Sequence, residues 1–363
     1  MLEAVKHPLT EAEAKQALAG GQVSVDRLVQ LELLRREGET YRLNSLLLTI
    51  EDQQTIYRIA SRYGRSLADA FLVHRAEFEQ IAERYPDAAL RPQLLFGLVA
   101  GAALNWDGLE LTTELGYRIR PSRHPSGEVY IVHSKERGAK LNLTGLYLDS
   151  QTVSGSKMSF STFGDGESLP RRQGLPDVFD GIEAAVEGWR KLPAIYAALR
   201  SEYIAYFLEA MEDAGQVMNA IVAGLDPTAV TIPEARRKAT LQLLISVGYL
   251  RENGGRYMPG IPVLTARDKP QVDAALTLSR TIMTGWLRQN YSAIEKELTG
   301  LSPMRNGVPF SLAFSEVWHY EFGFAAKFLA ESGFYADPRA PGSRYEGYVP
   351  LVWASSLLKA PGQ

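Results

Sequence analysis

The spacing of hydrophobic residues predicts long helices on both sides of a β-rich middle segment. Over residues 53–83 and 269–298 the apolar positions recur every three or four residues, which is the period of an amphipathic helix. In the first stretch this pattern is carried by Ile56, Ile59, Ala60, Tyr63, Leu67, Ala70 and Phe71. Helices are also predicted across 178–222, after a loop at 164–176 that is rich in Gly and Pro.

The middle of the chain has a different period. Segments 128–133, 140–148 and 157–163 alternate apolar and polar residues and are separated by Gly-containing turns. This pattern is typical of strands, and it predicts an antiparallel meander. Alternation puts one set of side chains on the face that packs against the protein. We expect that set to be Val129, Ile131, Leu141, Leu143, Met158 and Phe160.

Two parts of the sequence resemble each other. Residues 34–52 and 250–268 align without a gap at an offset of 216, with 7 identities in 19 positions. A shorter pattern, Glu-x-Gly-aromatic-x-x-x-Pro, begins at Glu114 and again at Glu331, an offset of 217. The sequence therefore predicts two versions of one unit, roughly 20–125 and 225–345.

The sequence of the second unit predicts a helix followed by a hairpin. Pro233 and Glu234 begin a predicted helix that ends at Gly248, and residues 249–257 place Asn-Gly between apolar ends, as in a tight hairpin. A weaker version occupies 33–43, after a helix predicted over about 24–36. This pattern of a helix followed by a hairpin resembles the winged-helix superfamily, in which a recognition helix leads into a β-hairpin wing.

In DNA-binding members of that superfamily the helix enters the major groove and the wing contacts the backbone, which needs Lys and Arg on those surfaces. Across 231–257 five cations face two carboxylates, a net of +3, whereas 24–42 is neutral. The predicted phosphate-binding residues are Arg236, Arg237, Lys238, Arg251 and Arg256. Replacing those at 236–238 by Ala is expected to weaken DNA binding and to change folding stability by no more than about 0.5 kcal/mol.

The alternative is a ligand-binding or scaffold protein in which the winged helices serve as packing or dimerisation modules. An aromatic stretch around 314–322 provides apolar walls with a few polar groups, as small-molecule sites require. The candidate pocket residues are Trp286, Glu316, Trp318, His319 and Tyr320. A methyltransferase is disfavoured, because no Gly-rich nucleotide-binding loop occurs.

The composition excludes further kinds of functional site. The 363 residues include no Cys, which excludes disulfides and thiolate chemistry, and a net charge of −3 gives no general attraction to nucleic acid. Glu316 and His319 are three apart, half of a carboxylate metal motif, but the second half is missing. No metal, cofactor or catalytic constellation is predicted, so the chain is not expected to be an enzyme.

The sequence as a whole predicts a mainly helical α+β fold of two related winged-helix-plus-long-helix units with an inserted antiparallel β-meander. The expected domains are 1–127, 128–177 for the meander and linker, and 178–363. The favoured function is a DNA-binding protein of the transcriptional-regulator type. Its expected partners are duplex DNA or a small-molecule ligand, with a homodimer left open. The N-terminus has no apolar run and no membrane is expected as a partner, so the cytoplasm is the expected location.

Overall fold

A computed structural model describes residue 4 and residues 7–19, 23–30, 33–119, 131–148, 151–154, 157–163, 205–337, 352 and 353. It is mostly helical, with 63% helix and 11% strand in small sheets, which confirms the mainly helical α+β class. The predicted loop at 164–176, the first part of the helical stretch 178–222 and Val129 lie outside the described residues.

The helices are α1 Glu11–Ala17, α2 Val25–Gln30, α3 Ile50–Val73, α4 Arg75–Glu83, α5 Arg91–Leu95, α6 Gly108–Glu114, α7 Ala205–Val222, α8 Glu234–Ser246, α9 Lys269–Leu298, α10 Ser302–Arg305 and α11 Phe310–Glu331. A π-helix, Phe96–Asp107, joins α5 to α6, and 3₁₀ turns occupy Ala88–Leu90, Pro227–Ala229 and Ala266–Asp268. The strands are β1 Leu9–Thr10, β2 Leu34–Glu37, β3 Thr40–Leu43, β4 Leu47–Leu48, β5 Ile131–Glu136, β6 Gln151–Ser154, β7 Met158–Phe163, β8 Leu250–Asn253, β9 Arg256–Pro259, β10 Val263–Leu264 and β11 Val352–Trp353.

The chain forms two compact units, and neither is continuous in sequence. The first consists of Met1–Ala70, Asp107–Pro170 and Arg280–Phe328, and the second of Phe71–Trp106, Arg171–Ser279 and Leu329–Gln363. This division cuts across the sequential boundaries predicted at 127 and 177. Each unit therefore combines segments from both halves of the sequence.

The first unit begins with a small sheet in the order β1-β3-β2, with both pairs antiparallel. Gly38, at φ 61°, allows the two-residue turn between β2 and β3. Leu9, Leu28, Leu34, Tyr41 and Leu43 are part of the apolar core beneath this sheet. The helix predicted over about 24–36 is shorter than expected, because α2 ends at Gln30 and β2 begins at Leu34.

The second unit contains the hairpin that the Asn-Gly sequence predicts. Strands β8 and β9 pair antiparallel around Gly254 and Gly255, which both have positive φ. Pro233 is the N-cap of α8, and Gly248, at φ 79°, follows its end. These bounds confirm the predicted start and end of that helix.

Several backbone details recur at the same offset as the sequence identities. Leu33 N–H donates to Leu28 O, and Tyr249 N–H donates to Leu244 O. At the start of each long helix a threonine hydroxyl donates to an aspartate three residues later, in the pairs Thr49/Asp52 and Thr265/Asp268. The predicted helix over 269–298 is the single helix α9, whereas the one predicted over 53–83 is two helices, α3 and α4, that meet at His74.

The predicted meander is partly wrong. The four-stranded sheet has the order β4-β5-β7-β6, with β4 parallel to β5, and residues 140–148 form no strand. Gly145, at φ 76°, lies in a turn that interrupts the alternating pattern there. Leu143, expected to face the protein, is 44% exposed, and Leu141 is only half-buried.

One helical stretch among the described residues, 88–114, is long and apolar enough to cross a membrane, and the sequence analysis did not single it out. Its most apolar window is 83% buried inside the protein. Burial of this extent is expected of a core helix, and we interpret the stretch as one.

Candidate functional site

A cleft of about 400 Å³ opens in the first unit beside strand β5, the segment that follows it, and helix α11. Its lining combines three leucines with several polar and charged side chains. The lining residues are Gln53, Lys135, Glu136, Arg137, Gly138, Ala139, Leu141, Leu143, Leu148, Ser159, His319 and Tyr320. An apolar wall with a few convergent polar groups is what small-molecule sites require.

Behind this cleft lies a buried cluster of charged and polar groups. Lys135 Nζ donates to Glu316 Oε1 over 2.8 Å, and His133 Nδ1 lies 3.2 Å from Glu316 Oε2. The side chains of Glu316 and His133 are 0% exposed, and that of Lys135 is 11% exposed. His133 and Lys135 are two residues apart on β5, so both point to the face on which α11 presents Glu316.

The surroundings of Glu316 keep its carboxylate ionised. Burial alone raises the pKa of a carboxyl group, but the positive charge of Lys135 and the hydrogen bond from His133 outweigh it. The pKa of Glu316 is therefore held well below its ordinary value of 4.5. Burial lowers the pKa of His133, so its ring is neutral and donates from Nδ1 to the carboxylate.

Two further polar groups that line the cleft, those of His319 and Tyr320, are neutral. Burial, opposed by the carboxylate of Glu316 and reinforced by Lys135, lowers the pKa of His319 to about 4. His319 is therefore a neutral imidazole near pH 7. Tyr320 is 4% exposed, and its hydroxyl forms no hydrogen bond within the described part of the chain.

Close contacts between backbone and side chains fix helix α11 in this position. A Cβ on Gly64 of α3 would come within 2.7 Å of Glu321 O, and one on Gly323 would come within 2.7 Å of Leu148 Cδ2. Larger side chains at either position would push α11 away from α3 or from the cleft wall. These glycines therefore allow the close packing that holds Tyr320 and Glu316 in place.

A second buried carboxyl, that of Glu321, has a different environment. It is 0% exposed, and within the described residues neither of its oxygens has a hydrogen-bond partner. Burial raises the pKa of Glu321 well above its ordinary value of 4.5. This group is therefore a neutral acid over a range of pH in which an exposed glutamate is ionised.

The structure separates the five pocket residues that the sequence predicted. His319 and Tyr320 line the cleft, and Glu316 lies behind it and holds Lys135. Trp286 and Trp318 are buried core residues, with ring centroids 6.3 Å apart, and they do not line it. His133 and Lys135 were not among the predicted site residues, although two polar residues at strand spacing were a usable signal.

The predicted DNA-binding residues are largely engaged with carboxylates. Arg236 makes two 2.8 Å hydrogen bonds to Asp213 on α7, Arg251 lies 2.5 Å from Asp87, and Lys238 pairs with Glu234. Arg237 is half-buried and Arg256 is exposed. With the two aspartates included, five cations face four carboxylates, so the predicted net of +3 falls to +1.

The geometry suits non-covalent binding. Within the described ranges no group of three or more His, Asp or Glu side chains could hold a metal ion. The cleft residues can donate hydrogen bonds, through Lys135, Ser159 and Tyr320, and can bury an apolar group against the leucines.

Comparison with known proteins adds no assignment: no family model, no curated protein and no solved structure matches this chain.

Replacing Arg236 by Ala should destabilise the protein by about 2 kcal/mol, because it leaves Asp213, which is nearly buried, without its charged donor. This corrects the small effect that the sequence predicted for this residue. Urea unfolding measures the change. Lys238→Ala, at an exposed position, is the control and should stay within about 0.5 kcal/mol. An equally small effect of both substitutions would contradict the structural role of Arg236.

Replacing Glu321 by Gln should stabilise the protein more as the pH rises. Because the pKa of Glu321 is raised in the folded state, its stabilising neutral form is fully present below pH 4.5 and is lost as the pH rises toward the folded-state pKa. Gln does not ionise, so the advantage of the variant should grow by up to about 1.4 kcal/mol per pH unit above pH 4.5 and should level off once the folded-state pKa is passed.

Urea unfolding between pH 5 and pH 8 tests this trend. Glu331→Gln, at an exposed position of the same helix, is the control and should show no such trend. A difference between E321Q and the wild-type protein that does not change with pH would show that Glu321 ionises normally.

Proposed function

We propose that this protein binds a small organic molecule in the cleft beside β5 and α11. The observation that carries the proposal is the buried Lys135–Glu316 pair at the cleft, with the Tyr320 hydroxyl left without a partner within the described residues. The volume of about 400 Å³ lies within the ~300–1,000 Å³ range of small-molecule sites.

Stability alone does not account for the charged cluster. Taking a lysine and a glutamate out of water costs several kcal/mol per ion, and a well-packed apolar pair in their place is often neutral or stabilising. If the pair only held β5 against α11, two leucines in its place would therefore do so equally well. A charged pair that borders a cleft is useful when one of its members also contacts a ligand.

In this proposal the winged-helix-like segments are packing modules that arose by internal duplication. The β2–β3 and β8–β9 hairpins, and the hydrogen bonds that recur at an offset of 216, support that origin. Duplex DNA is the weaker candidate partner because Arg236 and Arg251 are engaged with aspartates. We place the protein in the cytoplasm on the sequence evidence alone.

A neutral fluorescent probe tests the proposal directly. N-phenyl-1-naphthylamine should bind the wild-type protein saturably with one site per chain, with a rise in fluorescence. Ser159→Phe should fill the cleft and reduce probe affinity by at least about tenfold, because Ser159 lines it beside Lys135. Ser292→Phe, at an exposed position on α9, is the matched control and should bind like the wild type.

Equal probe binding by both variants would place the probe outside the cleft and contradict the proposal. A fluorescence anisotropy titration with duplex DNA at low ionic strength provides the second arm. Strong, salt-dependent DNA binding by a protein that does not bind the probe would favour the regulator function instead.

A further inference from the structure

The polar groups that line the cleft are mainly hydrogen-bond donors. The ammonium group of Lys135 has three N–H donors and no acceptor, and within the described residues its one side-chain bond is to Glu316 Oε1. Two donors of Lys135 are therefore left for the cleft. Arg137, exposed at the rim, carries a second permanent positive charge and has only donors.

Two hydroxyl groups add to this set. Ser159 on β7 is the register partner of Lys135 on β5, so both side chains lie on the same face of the sheet. Neither the Ser159 hydroxyl nor that of Tyr320 forms a hydrogen bond in the part of the chain that the structure describes. Burial raises the pKa of Tyr320 above its ordinary value of 10, so this hydroxyl keeps its proton and can donate it.

The carboxylates near the cleft already accept hydrogen bonds from the protein's own donors. Glu136 Oε2 accepts the backbone N–H of Ile50, the first residue of α3, over 3.1 Å. Glu316 accepts from both His133 and Lys135. The side-chain amide nitrogen of Gln53 lies within hydrogen-bond distance of three backbone carbonyl oxygens, of which the nearest is Glu136 O at 2.8 Å. The unused N–H and O–H donors of Lys135, Ser159 and Tyr320 can therefore find their acceptors on a ligand.

We propose that the ligand is a small organic acid whose carboxylate accepts hydrogen bonds from Lys135, Ser159 and Tyr320, while its apolar body packs against Leu141, Leu143 and Leu148. This inference rests on the proposed function and specifies its ligand class. Glu316 fixes the direction of the Lys135 ammonium, and the carboxylate of the ligand accepts the N–H donors that this pair leaves unused.

A matched pair of compounds tests the charge requirement. The probes are 4-phenylbutyrate and its neutral amide, 4-phenylbutanamide, which have the same shape and differ in charge. Isothermal titration calorimetry and displacement of N-phenyl-1-naphthylamine measure both affinities. The wild-type protein should bind the acid at least about tenfold more tightly than the amide, because charge-assisted hydrogen bonds are roughly twice as strong as neutral ones.

Substitutions test whether the named residues cause the preference for the acid over the amide. Tyr320→Phe should weaken acid binding roughly fivefold through loss of one hydrogen bond. Tyr291→Phe, which removes a hydroxyl from α9 outside the cleft, is the matched control and should leave acid binding unchanged. The double variant Lys135→Met/Glu316→Gln removes both charges together and avoids a lone buried ion, and its preference for the acid over the amide should be clearly smaller than that of the wild type.

The outcomes separate this inference from the proposed function. Equal binding of acid and amide by the wild-type protein would overturn the organic-acid class and leave the binding site in place. An unchanged acid preference in the double variant would remove Lys135 from recognition and overturn the inference as stated. If neither compound nor the naphthylamine probe binds at millimolar concentration, both the ligand class and the proposed function are wrong.

Discussion

The carboxylate of Glu316, fully removed from water, joins helix α11 to strand β5 through Lys135 and His133. An ionised group in this position is stable only while its partners are in place, because a lone buried charge costs several kcal/mol. The position of α11, and with it the wall of the cleft formed by His319 and Tyr320, therefore depends on this contact.

This contact depends on segments that are far apart in sequence. Lys135 and Glu316 are separated by 181 residues, and the unit that contains both also takes in Met1–Ala70. Glycines at 64 and 323 allow α11 to approach α3 and the cleft wall closely enough for the polar contacts to form. The site is thus formed by contacts between segments that are distant in sequence. Its polar cluster supplies the groups that can bind a ligand.

The sequence was informative where local chemistry decides the structure. Pro233 and Gly248 bound helix α8, and Asn253 and Gly254 mark the hairpin, because capping and turn formation depend on neighbouring residues. The sequence did not predict features that depend on contacts between residues far apart in the chain. Asp213 neutralises Arg236, and no spacing rule connects them across 23 residues. The alternation over 140–148 was misleading because a turn at Gly145 competes with strand formation.

A double-mutant cycle on Lys135 and Glu316 tests the central claim most directly. Lys135→Met and Glu316→Gln should each lower the free energy of unfolding by about 3–5 kcal/mol, since each leaves the other charge buried without its partner. The double variant should lose far less than the sum of the two, so the urea-unfolding data should give a large coupling energy. Additive losses would contradict the account, because they would mean that the two side chains do not depend on each other.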